Sequence, residues 1–279
     1  MMAGFLHGFY RNRLAILGSV ILAIITSMVI GAPMITSASP IELNVVHMLD
    51  APDADHFFGT DSFGRDVFAR ALYGGRFTLA IGLAVMALAF VIGVSVGTVS
   101  GFVGGKTDLV VTQMIDAMLA FPSLVLAIAL AAALGPSLTN AMLAVAITLM
   151  PQFARVARSQ AIGISVKPYV EAAVCVGVPV RRMLLNYILR NGLAPLTIQA
   201  SLSVGSAILQ TASLGFLGFG AQPPLPEWGA DIATNLEYVR GAPWVVLAPG
   251  SAIFLSVLSF NLIGDAVADW FNPRKRALR

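Results

Sequence analysis

Residues 78–101 read TLAIGLAVMALAFVIGVSVGTVSG, an apolar run without a single Asp, Glu, Lys or Arg. At ~1.5 Å of rise per residue, a helix of this length crosses the ~30 Å hydrocarbon core of a bilayer. Gly93, Gly97 and Gly101 recur every fourth position along it. That ladder of small residues predicts close approach of a neighbouring helix rather than a ligand site. Five further runs have the same character: Leu14–Ile35, Thr112–Leu134, Leu138–Val156, Pro195–Leu217 and Trp244–Gly264. Together the six predict an all-α membrane protein with six transmembrane helices. Pro122 and Pro151 fall inside the third and fourth runs, where each should kink its helix.

Composition agrees. Hydrophobic residues make up 57% of the 279-residue chain and charged residues 11%, against about 25% charged in soluble domains. The net charge of +3 does not point to nucleic acid, because the basic residues are dispersed between apolar runs instead of gathered on one polar face. The lone cysteine, Cys175, excludes an intrachain disulfide and a cysteine-based metal cluster, and is expected to be a small apolar core residue. The first run follows Arg11 and Arg13 but exceeds a signal-peptide core of about 7–15 residues. It is expected to be a retained helix that doubles as the targeting signal.

Charge placement predicts orientation. Of the 17 basic residues, thirteen fall in one set of alternating segments: Arg11, Arg13, Lys106, the 157–194 region with its approach (Arg155, Arg158, Lys167, Arg181, Arg182, Arg190), and the tail (Arg274, Lys275, Arg276, Arg279). Only Arg65, Arg70, Arg76 and Arg240 lie on the other side, where loops 36–77 and 218–243 are acidic. Both termini and the 157–194 loop are therefore expected in the cytoplasm. The organisation reads as a cytoplasmic N-terminus and first helix (1–36), an outer loop (37–77), a transmembrane domain (78–265) and a cytoplasmic tail (266–279). Residues 63–79 are expected to form an amphipathic helix lying at the outer interface.

Catalytic chemistry is not evident. His7, His47 and His56 lack metal-ligand spacing, and no Walker loop, GxSxG or HExxH occurs. The apolar runs are almost free of charge, which disfavours a proton- or sodium-coupled carrier. Asp116 lies about one turn into the third run, and Asp265 and Asp269 lie just past the sixth. The 157–194 loop is the informative segment. Ala, Val and Glu favour a short helix around 169–176, and Gly177 and Pro179 break it. A short helix projecting from a membrane domain offers a knob that another protein can hold.

That loop resembles the EAA motif of binding-protein-dependent ABC importer permeases, through Glu171, Ala172, Ala173, Gly177, Ile188 and Leu189. Arg190 stands where the family motif has proline. Residues 56–70, HFFGTDSFGRDVFAR, resemble the family's HPFGTDxxGRDVFSR signature; residues 218–229, GFGAQPPLPEWG, resemble its LGLGxQPPxPEWG. Phe260–Asp265 with Asn272-Pro273-Arg274 fits the family's ending. The chain is thus similar to the C-type permease subunit of dipeptide, oligopeptide and nickel ABC importers.

The resemblance implies a type I ABC importer permease in a bacterial inner membrane, acting by alternating access and not itself an enzyme. Its implied partners are a B-type permease, two cytoplasmic ATPases that bind ATP and Mg, and a solute-binding protein; no cofactor is expected in this chain. It implies ATPase coupling through Glu171, Ala172, Ala173 and Gly177, and outer contacts through Asp61, Arg65, Gln222, Glu227 and Trp228. Gln113 and Ala268 stand where many relatives carry basic residues, so no ion-pair role is carried over for Asp116 or Asp269. Ser201, Ser203, Gly205 and Ser206 are candidate pathway residues. A secondary carrier without ATPases and a structural scaffold are the alternatives. The expected cargo is di- or oligopeptides, with nickel chelates or other small solutes such as glutathione and opines as the alternative.

Overall fold

The computed structural model describes residues 12–271. Arg11, His7 and the basic tail from Asn272 onward lie outside the described residues. Helices dominate. Among the described residues five are long and apolar enough to cross a membrane, and a bent pair, taken as one span, makes six.

Helix α1 (Arg13–Ile30) opens on Asn12, whose side chain accepts from the Leu14 and Ala15 amides, supplying the partners that the first helical turn lacks. It packs on the last helix, where Gly18 faces Leu262 and the Ser259 carbonyl. Helix α2 (Val67–Val103) is one uninterrupted helix of 37 residues. Residues 63–79 therefore do not form a separate interfacial helix. Asp66 caps α2 by accepting from the Ala69 amide at 2.6 Å, and the helix continues without a break from that cap into the apolar run. The boundary expected at 77 falls inside it.

The third run is broken, not merely kinked. Helices α3 (Gly105–Leu119) and α4 (Ser123–Leu134) meet at 95°, with Phe121 and Pro122 at the corner. Proline has no amide to donate and clashes with the preceding turn, and Pro122 serves instead as the residue before α4. Pro151 behaves differently: α5 (Leu138–Ser165) runs through it without interruption. The glycine ladder of α2 lies directly on α5. A Cβ at Gly93 would sit 2.5 Å from the Met150 carbonyl oxygen, and one at Gly101 2.6 Å from that of Arg158. Phe90 and Phe153 meet edge-to-face at 5.6 Å in the same seam.

Beyond α5 come α6 (Pro168–Cys175), a single turn at Val180–Arg182, a π-helical stretch at Met183–Leu189, and α7 (Arg190–Phe216). Helices α8 (Trp228–Asn235) and α9 (Trp244–Phe271) complete the chain. Helix α9 continues past the expected end of the sixth run, so Asp265 and Asp269 belong to its last turns. Of the small residues on α7, Ser203 and Gly205 are buried and Ser206 is exposed. Gly205 packs against Asn261 and Val257 of α9, so it serves helix packing.

Candidate functional site

Two regions carry the residues that the sequence singles out. At one end, α6 sits on the last turns of α5. Val170 and Ala173 point down and are buried with Ala161, Ile164, Met183 and Ile188. Glu171, Ala172, Val174 and Cys175 are exposed, as is Val176, at 84%. Proline at the first helical position suits a helix start, and Glu171 in the first turn favours the helix dipole. The helix ends where the Val178 amide reaches back to the Ala173 carbonyl and the Gly177 amide to that of Val174. Gly177 has φ of +78°, a conformation open to glycine at little cost. The result is a short helix with an apolar underside and an exposed upper face.

Ala173 is part of the seat. One expectation is corrected there. Cys175 is exposed rather than a core residue, because it lies on the face of α6 opposite the buried Val170 and Ala173.

At the opposite end of α2, loop 40–66 and α8 are bound by buried polar contacts. Arg65 Nε donates to Asp61 at 2.7 Å. Arg70 reaches Asp231 of α8 through Nε at 3.0 Å and also through Nη2, and its Nη1 donates to the Pro40 carbonyl at 2.6 Å. Ser62 Oγ donates to Asn235 at 2.8 Å. Glu227 caps α8 by accepting from the Gly229 and Ala230 amides at 3.0 and 2.9 Å, and also from the Thr78 hydroxyl. Trp228 lies across Gly74 and Gly75, with its indole N–H on the Ala71 carbonyl at 2.8 Å. Burial pushes the Asp231 carboxyl up to about 6 against the opposing pull of Arg70. It also raises Glu227, against the two backbone amides that favour its ionised form.

Asp61, Arg65, Glu227 and Trp228 are thus all buried, and only Gln222 of the five expected outer contacts is exposed. These four hold loop 40–66 and α8 onto α2, with their side chains buried within the chain. Between the loops lies a cleft of about 350 Å³, lined by Leu43, Phe63, Gln222 and Pro223 together with the buried Arg70 and Asp231.

Sequence reasoning missed a further set of ionic contacts. Arg158 of α5 binds Asp108 of α3 in a two-pronged contact, Nε and Nη2 each at 2.6 Å. Arg155 pairs with Asp116 at 2.5 Å, so Asp116 does have an ion partner. The available signal was the alternation itself: both acids lie on the run following α2, and both arginines lie at the same cytoplasm-predicted end of α5.

A helical membrane domain built from a broken helix pair, a glycine-seamed core and a short projecting helix between two spans is the fold of a type I ABC importer permease. A chain of the MetNI methionine ABC transporter, solved in inward-facing conformations, has this fold with a TM-score of 0.57 at 19% identity, the match covering 72% of this chain and 96% of that one. Residues 93–277 match the family of binding-protein-dependent transport system inner membrane components, and the chain belongs to that family. Residues 1–52 match the N-terminal TM domain of oligopeptide transport permease C. The chain is 43% identical to the dipeptide transport system permease protein DppC of Alkalihalophilus pseudofirmus, over 96% of this chain and 88% of that protein. It is 44% identical to the probable D,D-dipeptide transport system permease protein DdpC of Escherichia coli, over 94% and 88%. It is also 41% identical to the dipeptide transport system permease protein DppC of Escherichia coli, over 97% and 92%. The protein is a multi-pass membrane transport subunit, and ATP hydrolysis in such systems belongs to a separate ATPase.

Proposed function

We propose that this chain is the C-type half of a heterodimeric permease that imports dipeptides across the bacterial inner membrane. A B-type permease supplies the other half of the pathway. Two cytoplasmic ATPases, which bind ATP and Mg, drive it, and an extracytoplasmic solute-binding protein delivers cargo to the outer cap. Both termini and α6 face the cytoplasm, in accord with the basic-residue asymmetry. The names of the relatives favour dipeptide cargo.

The observation that carries this reading is the form of α6. Its underside is fixed to α5 through Val170 and Ala173, while Glu171 and Ala172 stand exposed beside the Gly177 turn. A helix fixed below and bare above is suited to dock into another protein and to pass its movement on. ATP binding draws the two ATPases together, α6 moves with them, and the bundle opens outward to accept the peptide; hydrolysis resets it. Glu171 offers a charge to a basic group across the interface. Gly177 permits the turn that frees the upper face.

The test is reconstitution. The four-protein complex in vesicles, with the binding protein and ATP, should take up radiolabelled dialanine and stop when ATP is withheld. Uptake by the permease alone under an ion gradient would sink the reading in favour of a secondary carrier. ATP-driven uptake of a nickel chelate but not of dialanine would keep the importer and replace its cargo.

A further inference from the structure

Helix α3 is held in an unusual way. Among its residues only Ile115 is buried, and Leu109, Val110 and Met114 are exposed at 58, 54 and 63%. Apolar packing therefore does little to fix its position against α5. Two ion pairs remain. Asp116–Arg155 is more than half exposed on both sides (55% and 59%), and pairs of that kind contribute about 0–1 kcal/mol. Asp108–Arg158 is far more enclosed, at 17% and 30%. Asp108 Oδ1 also accepts from the Ser100 hydroxyl of α2 at 2.7 Å. Two parallel N–H···O contacts fix direction as well as distance.

The place of this pair matters more than its strength. Arg158 lies one turn before Ala161, and Ala161 and Ile164 form the seat of α6. Helix α5 is continuous through this region, so whatever displaces α6 also displaces Arg158. Through Asp108 the displacement reaches α3, and through the 95° corner it reaches α4, whose Ala127 and Ala131 lie in the main core.

We propose that Asp108 and Arg158 are a positioning pair that couples movement of α6 to the bent α3–α4 unit. This inference rests on α6 being the ATPase-contacting helix. The pair touches neither cargo nor nucleotide. Its role is to make the corner follow the helix that the ATPases move; without it α5 still moves but α3 slips. ATP is then consumed with less cargo delivered.

The experiment uses the complete importer in vesicles. Both dialanine uptake and ATP turnover are measured, the latter with peptide-loaded binding protein, and the variants are Asp108→Asn, Arg158→Gln, the double exchange Asp108→Arg with Arg158→Asp, Arg155→Gln and Gly177→Asp. The single variants at 108 and 158 should keep loaded-binding-protein stimulation of ATP turnover while uptake per ATP falls about tenfold, a coupling loss of ordinary size. The double exchange should restore most of that ratio, which loss of fold alone would not allow. Arg155→Gln should leave the ratio unchanged. Unaltered uptake per ATP in Asp108→Asn, with Gly177→Asp impaired, overturns the positioning role and spares the α6 reading. Normal transport by Gly177→Asp overturns both. If the single variants do not assemble, the double exchange decides: assembly without recovery of the ratio rejects the proposal.

Discussion

Gly97→Ala is the substitution through which the α2–α5 seam can be tested most sharply. A Cβ at that position would overlap the Ala154 carbonyl oxygen and lie 2.8 Å from both the carbonyl carbon and Cα of Ala154. All three are backbone atoms of a packed helix, so no side chain can swing aside. The two helices must separate by about half an ångström or more, and a gap of that size forfeits about a quarter to a half of each dispersion contact it opens. The seam includes the Phe90–Phe153 contact and the buried Val85, Val94 and Ala157, so the loss extends beyond one residue. Overpacking of this kind costs about 1–3 kcal/mol, and for a chain of this size each kcal/mol lowers Tm by about 2–4 °C. The assay is thermal unfolding of detergent-purified protein, followed by loss of the monodisperse peak. Gly163→Ala is the internal control: it is on α5, the partner helix of the seam, nothing lies within 4 Å of its added Cβ, and it should be neutral or stabilising by up to about 1 kcal/mol. If Gly97→Ala melts together with wild type, or Gly163→Ala is the worse of the two, the close-approach account of the ladder is wrong.

The outer cap yields two further expectations. Arg70→Ala strands Asp231 in a buried site and should destabilise the cap by about 3–5 kcal/mol; the double change Arg70→Ala with Asp231→Ala should be milder, and equal melting of the two would contradict a buried pair. For pH, both Asp231 and Glu227 are raised by burial, so the closed cap holds its protons longer than an opened one. That contribution to stability is fully present below the ordinary carboxylate range near pH 4 and is lost as pH rises through about 6 for Asp231. A shift of about two units corresponds to about 3 kcal/mol. Amide exchange of α8, corrected for the intrinsic rate, should thus show less protection at pH 8 than at pH 5, and the opposite order would refute the assignment. At the other end, Glu171→Lys should leave insertion and stability intact while stimulated ATP turnover and uptake both fall. Normal rates in that variant would remove Glu171 from the interface.

The membrane helices were legible because lipid imposes a length and a composition that a hydropathy pattern reports directly. The glycine ladder was legible for the same local reason, and so was α6, whose ends are set by Pro168 and Gly177. What could not be read depends on partners distant in sequence. Trp228 suggests an interfacial side chain when read within its own loop. It is buried because Gly74 and Gly75, far upstream, leave room for its ring. Arg70 and Asp231 each look like outer-loop charges until α8 folds back onto α2. The break at Pro122 was visible as a proline, but its 95° angle depends on how α3 and α4 each settle on α5. Cys175 carries the opposite lesson: its residue type favours burial in general, and its place on the face of α6 opposite Val170 and Ala173 overrides that preference.

The central claim is that α6 meets an ATPase at the cytoplasmic face, and the chain supplies its own probe. Cys175 is the single cysteine of the sequence, and it is exposed on α6, one turn from Glu171. Membrane vesicles containing the assembled importer can be treated with a short thiol-to-amine photo-crosslinker attached at that residue. The account predicts a single adduct of this chain with an ATPase subunit, with a yield that changes when ATP is added. It also predicts that an impermeant maleimide labels Cys175 in inside-out vesicles and not in right-side-out ones. Labelling from the outside, or an assembled complex in which Cys175 crosslinks to the binding protein and never to an ATPase, would contradict it.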